Sequence, residues 1–220
     1  DTYFPKARFF LNVHDMREWV KGNGGVDFWV VCSPNYLHQS HCSVGLGIGA
    51  DVICEKPLTI SASQLSAIQD QEEHTGKTVY TISQLRYSKK VQEFRYRMQL
   101  YNRKQQVSIH YHTPRGDWYK HSWKSDVEKG GGLPFNIGVH LFDLVTWIWG
   151  DVFVKSVDVV GDDTWMGVLK GPKVTVSWLL STLNGGKAER VIHVVDGNGK
   201  DSVDLGVGFA DLHLAQYRAI

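Results

Sequence analysis

The sequence predicts two units of different class. The first, over residues 1–86, is α/β on an open parallel sheet; the second, over 87–220, is α+β on a mostly antiparallel sheet with helices on one side and its other face open. Two changes of pattern predict this. In the first third, apolar runs alternate with helical stretches, the order of a parallel sheet with right-handed crossovers. Beyond about Arg86 the apolar residues recur at every second position, the period of strands that pack one face on a core. A third observation sets the scale: 42% hydrophobic content with eight tryptophans in 220 residues suffices for a sizeable core.

The elements follow in order. "VDFWVVCSP" (26–34) is a near-continuous apolar run ending in Ser-Pro, as a parallel strand covered on both faces reads. A helix is expected from about Leu37 to Leu46, closed by Gly47 and Gly49, and then a short strand at 52–54. "SASQ" is a capping box with Ser61 as N-cap and Gln64 three residues on; its helix ends at Gly76 in the C′ position. "TVYTIS" (78–83) is the next strand, and a helix over 88–101 leads out of the unit. "QVSIHYHT" (106–113), "VKSVDVV" (154–160), "KVTVSWLL" (173–180) and "RVIHVV" (190–195) alternate with period two, the last followed by the turn "DGNGK". Between the first two lie a Trp- and Gly-rich segment and a helix over 135–149.

A net charge of +1 without any Lys/Arg block points to neither nucleic acid nor a membrane surface. No apolar run approaches the roughly 20 residues that span a bilayer, and "DTYFPKARFF" lacks the layout of a signal peptide, so the expected compartment is the cytoplasm. Cys32, Cys42 and Cys54 cannot all pair and match no zinc spacing; they are expected as reduced core residues. His110, His112 and His121 invite a metal reading, but no carboxylate or thiol completes a site, and no metal is expected.

Ligands of open parallel sheets bind outside the carboxyl ends of the strands. Three such ends are readable: Ser33-Pro34-Asn35, Glu55-Lys56-Pro57 and Ser83-Gln84-Leu85-Arg86. Lys56, where two charges and a proline follow three apolar residues, is either a surface lysine or a cation delivered to a ligand. In "PFNIGVHLFDL" (134–144), Asn136, His140 and Asp143 fall at i, i+4 and i+7, on one face of a helix that is otherwise apolar nearly all round. That polar stripe must be satisfied inside the protein or by a ligand. The loop "TPRGDWYKHSWKSD" (113–126) interleaves Arg115 and Lys124 with Trp118, Tyr119 and Trp123. Guanidinium grips phosphate while rings stack on a planar base; the same loop also reads as a cluster packing on itself.

At these residues the sequence resembles the glucose-fructose oxidoreductase/inositol dehydrogenase family of NAD(P)-dependent sugar oxidoreductases. "EKP" after a strand, and a Gly-rich stretch leading to a helix with "NxGxHxxD", are the family's two signatures, here in order. "CSPNYLH", "DVICEKPL", "QLR", "RGDWYKHSWKSD", "NIGVHLFD" and "GFADLH" are similar to its UDP-sugar subgroup, bacterial 3-dehydrogenases of surface-polysaccharide sugar synthesis. The resemblance implies an incomplete Rossmann-type first domain and a substrate-binding and oligomerisation domain after it. It implies NAD rather than NADP as cofactor, and oxidation of the C3 hydroxyl of a UDP-N-acetylglucosaminuronate-type sugar. Catalytic roles pass to Lys56, which reaches the hydroxyl, to His140 as acid/base, and to Asn136, which stands where many relatives carry aspartate. Ser33, Pro34, Asn35, His38, Glu55, Lys56 and Gln84 fall on the cofactor side, with a cis peptide before Pro57. Arg86, Arg115, Trp118, Tyr119, Lys124, Asn136 and His140 fall on the sugar-nucleotide side. Relatives of this kind form dimers or tetramers through the open face of the second sheet, and a homo-oligomer is expected.

One departure stands beside the likeness. The Gly-x-Gly-x-x-Gly turn that holds the cofactor's pyrophosphate at a helix N-terminus is not in these residues. The expectation is an internal fragment or a protein shortened at both ends. The alternatives are a non-catalytic remnant that binds a sugar nucleotide or mediates assembly, and oxidation of another sugar or inositol; cofactor binding separates remnant from dehydrogenase.

Overall fold

The computed structural model describes residues 6–196, 199–206 and 209–220. The expected turn at 196–200 lies partly outside them. The chain divides into two compact units, Asp1–Thr81 and Ile82–Ile220. The division comes before the expected point because the short 3-10 turn Gln84–Tyr87 packs on helices of the second unit.

In the first unit, β1 (Phe28–Val31), β2 (Asp51–Cys54) and β3 (Val79–Thr81) form a parallel sheet in that order, with Val31 opposite Cys54 and Cys54 opposite Thr81. Helix α1 (Val13–Gly22), which the pattern did not announce, is started by Asn12, whose side chain accepts from the Asp15 N–H at 2.9 Å. Helix α2 (His38–Gly47) packs on β1 and β2. Gly45 makes that approach possible: a Cβ there would lie 2.7 Å from Val52 and 2.9 Å from Trp29. Helix α3 (Ala62–Thr75) starts at Ser61, which accepts from Gln64 N–H, and stops at Gly76, with φ of 65°. The Gln64 side chain reaches back to Ile60 N–H rather than to Ser61, a capping box displaced by one residue. The core gathers Trp29, Val31, Leu46, Val52 and Ile68. Among the described residues β1 lies at the edge of this sheet, and its second face is not covered: Val30 there is 53% exposed.

Cys42 and Cys54 belong to this core and Cys32 is exposed. A thiol hydrogen bond to Cys42, then burial, push the Cys54 thiol far up; burial and then Glu55 push Cys32 up as well. The thiolate is the reactive form. One thiol, Cys32, is therefore expected to react with Ellman's reagent in the folded chain and all three after unfolding. Rapid reaction of more than one in the folded chain would contradict this packing.

The second unit is built on six strands: β4 (Gln105–His112), β5 (Phe153–Val160), β6 (Thr164–Lys170), β7 (Val174–Ser181), β8 (Glu189–Asp196) and β9 (Gly199–Asp204), in the order β5-β6-β7-β4-β8-β9. The sheet is mixed rather than antiparallel throughout, because β4 and β7 run parallel at its centre. A parallel neighbour needs a long crossover, and the segment from 113 to 149 supplies part of it. Helices α4 (Lys89–Leu100) and α6 (Val139–Trp149), the latter preceded in the chain by the short helix α5 (Val127–Gly130), pack together. Phe94, Leu141, Leu144, Ile109, Trp178 and Leu180 share their core. On β4 the pattern alternates as expected, with Val107, Ile109 and Tyr111 buried. β5 does not follow the alternation: it is an edge strand, exposed on both faces at Val157, Val159 and Val160.

Candidate active site

The carboxyl edge of the first sheet carries six of the expected residues. After β1 the chain turns at Ser33 and Pro34 into a 3-10 turn, Asn35–Leu37, with Asn35 buried. After β2, Glu55 continues the ladder by donating its N–H to the Val31 carbonyl at 2.9 Å, and Lys56 follows it directly. The Lys56–Pro57 peptide is cis, as expected. Lys56 is half-buried, its N–H 3.3 Å from Glu55 Oε2, and Pro57 is buried. The sequence permits this tip because Val52, Ile53 and Cys54 are sheet residues and proline ends the pairing. His38, expected to face the cofactor, is instead 1% exposed. Its Nδ1 lies 2.7 Å from the Pro57 carbonyl and its Nε2 2.7 Å from the Ser33 carbonyl. Ser33 Oγ pairs with His41 Nδ1 at 2.9 Å.

The second unit gathers the other group. Gln84 is buried, and its Oε1 accepts no hydrogen bond from the described residues. Arg86, expected on the sugar-nucleotide side, commits its guanidinium to Asp143, Nε to Oδ2 at 2.9 Å and Nη2 to Oδ1. It thereby holds the helix that carries His140. His140 is half-buried on the first turn of α6.

Asn136, His140 and Asp143 do not share a continuous α-helix. Pro134–Gly138 form a π-helical turn ahead of α6, and the wider turn sets Asn136 apart from the i+4 geometry. Asn136 is buried and donates through Nδ2 to the Tyr119 hydroxyl at 2.9 Å and to the Lys124 carbonyl at 3.1 Å. The stripe is thus met residue by residue: Asn136 by the loop, Asp143 by Arg86.

The aromatic loop folds onto this turn. Tyr119 is buried and donates to the Lys124 carbonyl at 3.2 Å; burial pushes its hydroxyl up, opposed by the Asn136 hydrogen bond and by Arg115. Lys124 Nζ lies 5.9 Å from the Trp118 ring and 5.6 Å from the Trp123 ring. Trp118 is 54% exposed, a ring left open to stacking. Gly130 lets the chain double back, since a Cβ there would meet the Lys124 carbonyl at 2.7 Å. The Arg115 N–H donates to the Thr182 carbonyl at 3.2 Å, its guanidinium stands 6.0 Å from the Tyr119 ring, and its Nε is buried without a hydrogen-bond partner among the described residues. The structure therefore brings Arg115, Trp118, Tyr119, Lys124 and Asn136 together.

Arg190 was not singled out in the sequence. It lies on β8 opposite Tyr111, donates to Thr113 Oγ1 at 3.2 Å and covers the Tyr111 ring at 5.5 Å. Burial pushes the Tyr111 hydroxyl up, and Arg190 and then Arg115 pull it back, so two cations act on one ring. No local spacing announces this: only the β4–β8 register joins residues so far apart. Among the described residues no group of three His, Cys, Asp or Glu side chains is placed to hold a metal ion, and no helix is long and apolar enough to cross a membrane.

Residues 5–83 match the NAD-binding Rossmann-fold domain of the GFO/IDH/MocA oxidoreductase family, and residues 103–201 match that family's C-terminal domain. The fold superposes on the WlbA (WbpB) dehydrogenase of Thermus thermophilus in complex with NAD and α-ketoglutarate, with TM-score 0.92 and 33% identity, covering 99% of this chain and 74% of that one. Against the same enzyme with NAD and UDP-GlcNAcA the TM-score is 0.90 at 31% identity, with the same coverage. A putative UDP-kanosamine synthase oxidoreductase subunit of Amycolatopsis mediterranei is 29% identical over 140 residues, 63% of this chain; the chain spans 39% of that relative's length. Both family domains are matched in order and a relative 33% identical is matched along nearly the whole chain, so the chain belongs to the GFO/IDH/MocA oxidoreductase family.

Proposed function

We propose that this chain serves an NAD-dependent oxidoreductase that oxidises the C3 hydroxyl of a UDP-N-acetylglucosaminuronate-type sugar. The observation that carries the reading is the Glu55-Lys56-Pro57 tip, which sets a half-buried lysine just past the carboxyl end of the central strand and ahead of a cis peptide. Its chemical sense comes from the family and from the Thermus relative solved with NAD and UDP-GlcNAcA.

The residues present fit the nicotinamide end of the cofactor. Gln84 keeps a buried amide oxygen without a partner among the described residues, an acceptor suited to a carboxamide N–H. Ser33, Pro34, Asn35 and Glu55 lie at the strand ends where such a ring is bound. No residue here forms the Gly-x-Gly-x-x-Gly turn that holds a pyrophosphate. When bound, NAD supplies the hydride acceptor. The side chains then handle the proton: the Lys56 ammonium orients the sugar oxygen, and the His140 imidazole takes the hydroxyl proton as general base. Asn136 acts through Tyr119 and the Lys124 carbonyl, fixing the loop whose Arg115, Trp118 and Lys124 bind the sugar nucleotide. A second copy of the chain docks on the open face of the six-stranded sheet.

Arg115→Ala is expected to weaken UDP-sugar binding by about 10- to 100-fold, the loss of a charge-assisted hydrogen bond worth roughly 1.5–3 kcal/mol, with kcat little changed. Calorimetric titration of the sugar nucleotide, paired with steady-state kinetics, checks this; an effect confined to kcat would contradict the role.

A further inference from the structure

His38 is set between two main-chain carbonyls, each 2.7 Å from one ring nitrogen, and 1% of the residue is exposed. A carbonyl oxygen only accepts. A neutral imidazole has one N–H, so its other nitrogen would turn a lone pair toward a carbonyl lone pair at 2.7 Å, with no solvent between. Two donors remove that repulsion, and 2.7 Å falls in the range of charge-assisted N–H···O bonds, about 2.7–2.9 Å. The two carbonyls belong to Ser33, after β1, and to Pro57, next to Lys56. The neighbouring His41 takes no part in this pair of contacts: its Nδ1 pairs with Ser33 Oγ at 2.9 Å.

We propose that His38 is a positioning residue, a doubly protonated imidazole that ties the Ser33 turn to the Pro57 turn and so fixes the strand tip that presents Lys56. Its effect on catalysis rests on the proposed role of Lys56; its protonation and its two bonds do not. No side-chain nitrogen of His38 is left to touch a cofactor, so its influence on turnover passes through main-chain position.

Two measurements test this. In the chain labelled with 15N-histidine, long-range 1H–15N spectra at neutral pH are expected to show both His38 ring nitrogens carrying protons, both exchanging slowly with solvent. A spectrum with one deprotonated ring nitrogen overturns the proposal, whether or not the protein is a dehydrogenase. The second measurement uses His38→Gln, which keeps a donor for one carbonyl and no cation for the other. In a protein that turns over, it is expected to lower kcat by about tenfold or more, as misplacing a reacting group does, and to leave the KM for the sugar nucleotide within about twofold. An unchanged kcat overturns the positioning role. If the variant fails to fold, the spectrum of the unaltered chain decides. If the parent chain shows no turnover with NAD and the UDP-sugar, the dehydrogenase reading fails while the spectrum still decides the clamp.

Discussion

Lys56→Ala is expected to lower turnover of the UDP-sugar by about 10²–10⁴-fold, the range for removing a positioned proton-handling or oxygen-orienting group. The affinity for the sugar nucleotide should stay within about threefold, because the residues assigned to bind it lie elsewhere in the chain. The turn itself should survive truncation. Glu55 remains bonded to Val31, and the Pro57 carbonyl remains bonded to His38. The lysine side chain is half-buried and belongs to neither hydrophobic core, so its loss opens no cavity of consequence. Stopped-flow measurement of NADH formation with saturating substrate separates the outcomes. Turnover equal to that of the parent would remove Lys56 from the chemistry.

Gly138→Ala is expected to damage stability and rate together. Gly138 is buried where the π-helical turn meets α6, and a Cβ there would lie 2.7 Å from Leu180 Cδ1 and 2.8 Å from the Phe142 ring. Both neighbours belong to the second unit's hydrophobic packing, Leu180 in its core and Phe142 against it, so neither yields freely. Overpacking of this kind costs about 1–3 kcal/mol, and thermal or urea unfolding should report a loss of that size. Relief by a shift of the turn would carry His140, two residues on, with it. A displacement of about 1 Å at a reacting group costs on the order of 10²-fold in rate. A variant as stable and as active as the parent would show that the turn has room the structure does not give it.

The sequence carried much of this fold because local signals agreed with the burial that followed. The Ser61 cap, the Gly76 stop and the strand at 52–54 are local chemistry, and each stands within a residue or two of its expected place. What failed was set by neighbours. The exposed second face of β1, the two exposed faces of β5 and the parallel β4–β7 pairing depend on which strands lie alongside, which periodicity does not encode. The site shows the same division. "EKP" and the aromatic loop were legible as residue types at a strand end and in a loop. The use of Arg86 on Asp143, the π-helical turn at Asn136 and the placing of Arg190 over Tyr111 came only with tertiary contacts. His38 is the sharpest case: a residue expected beside the cofactor proves to have both nitrogens bonded to the main chain.

The central claim, a sugar-nucleotide oxidoreductase with NAD, is tested most directly by titrating NADH into the chain and following nicotinamide fluorescence, with and without UDP-N-acetylglucosaminuronate. The expected result is saturable binding that the UDP-sugar tightens, since two ligands that meet in one site bind with a shared coupling free energy. Absence of saturable binding under both conditions would contradict the oxidoreductase reading and leave the chain as a sugar-nucleotide binder or an assembly module.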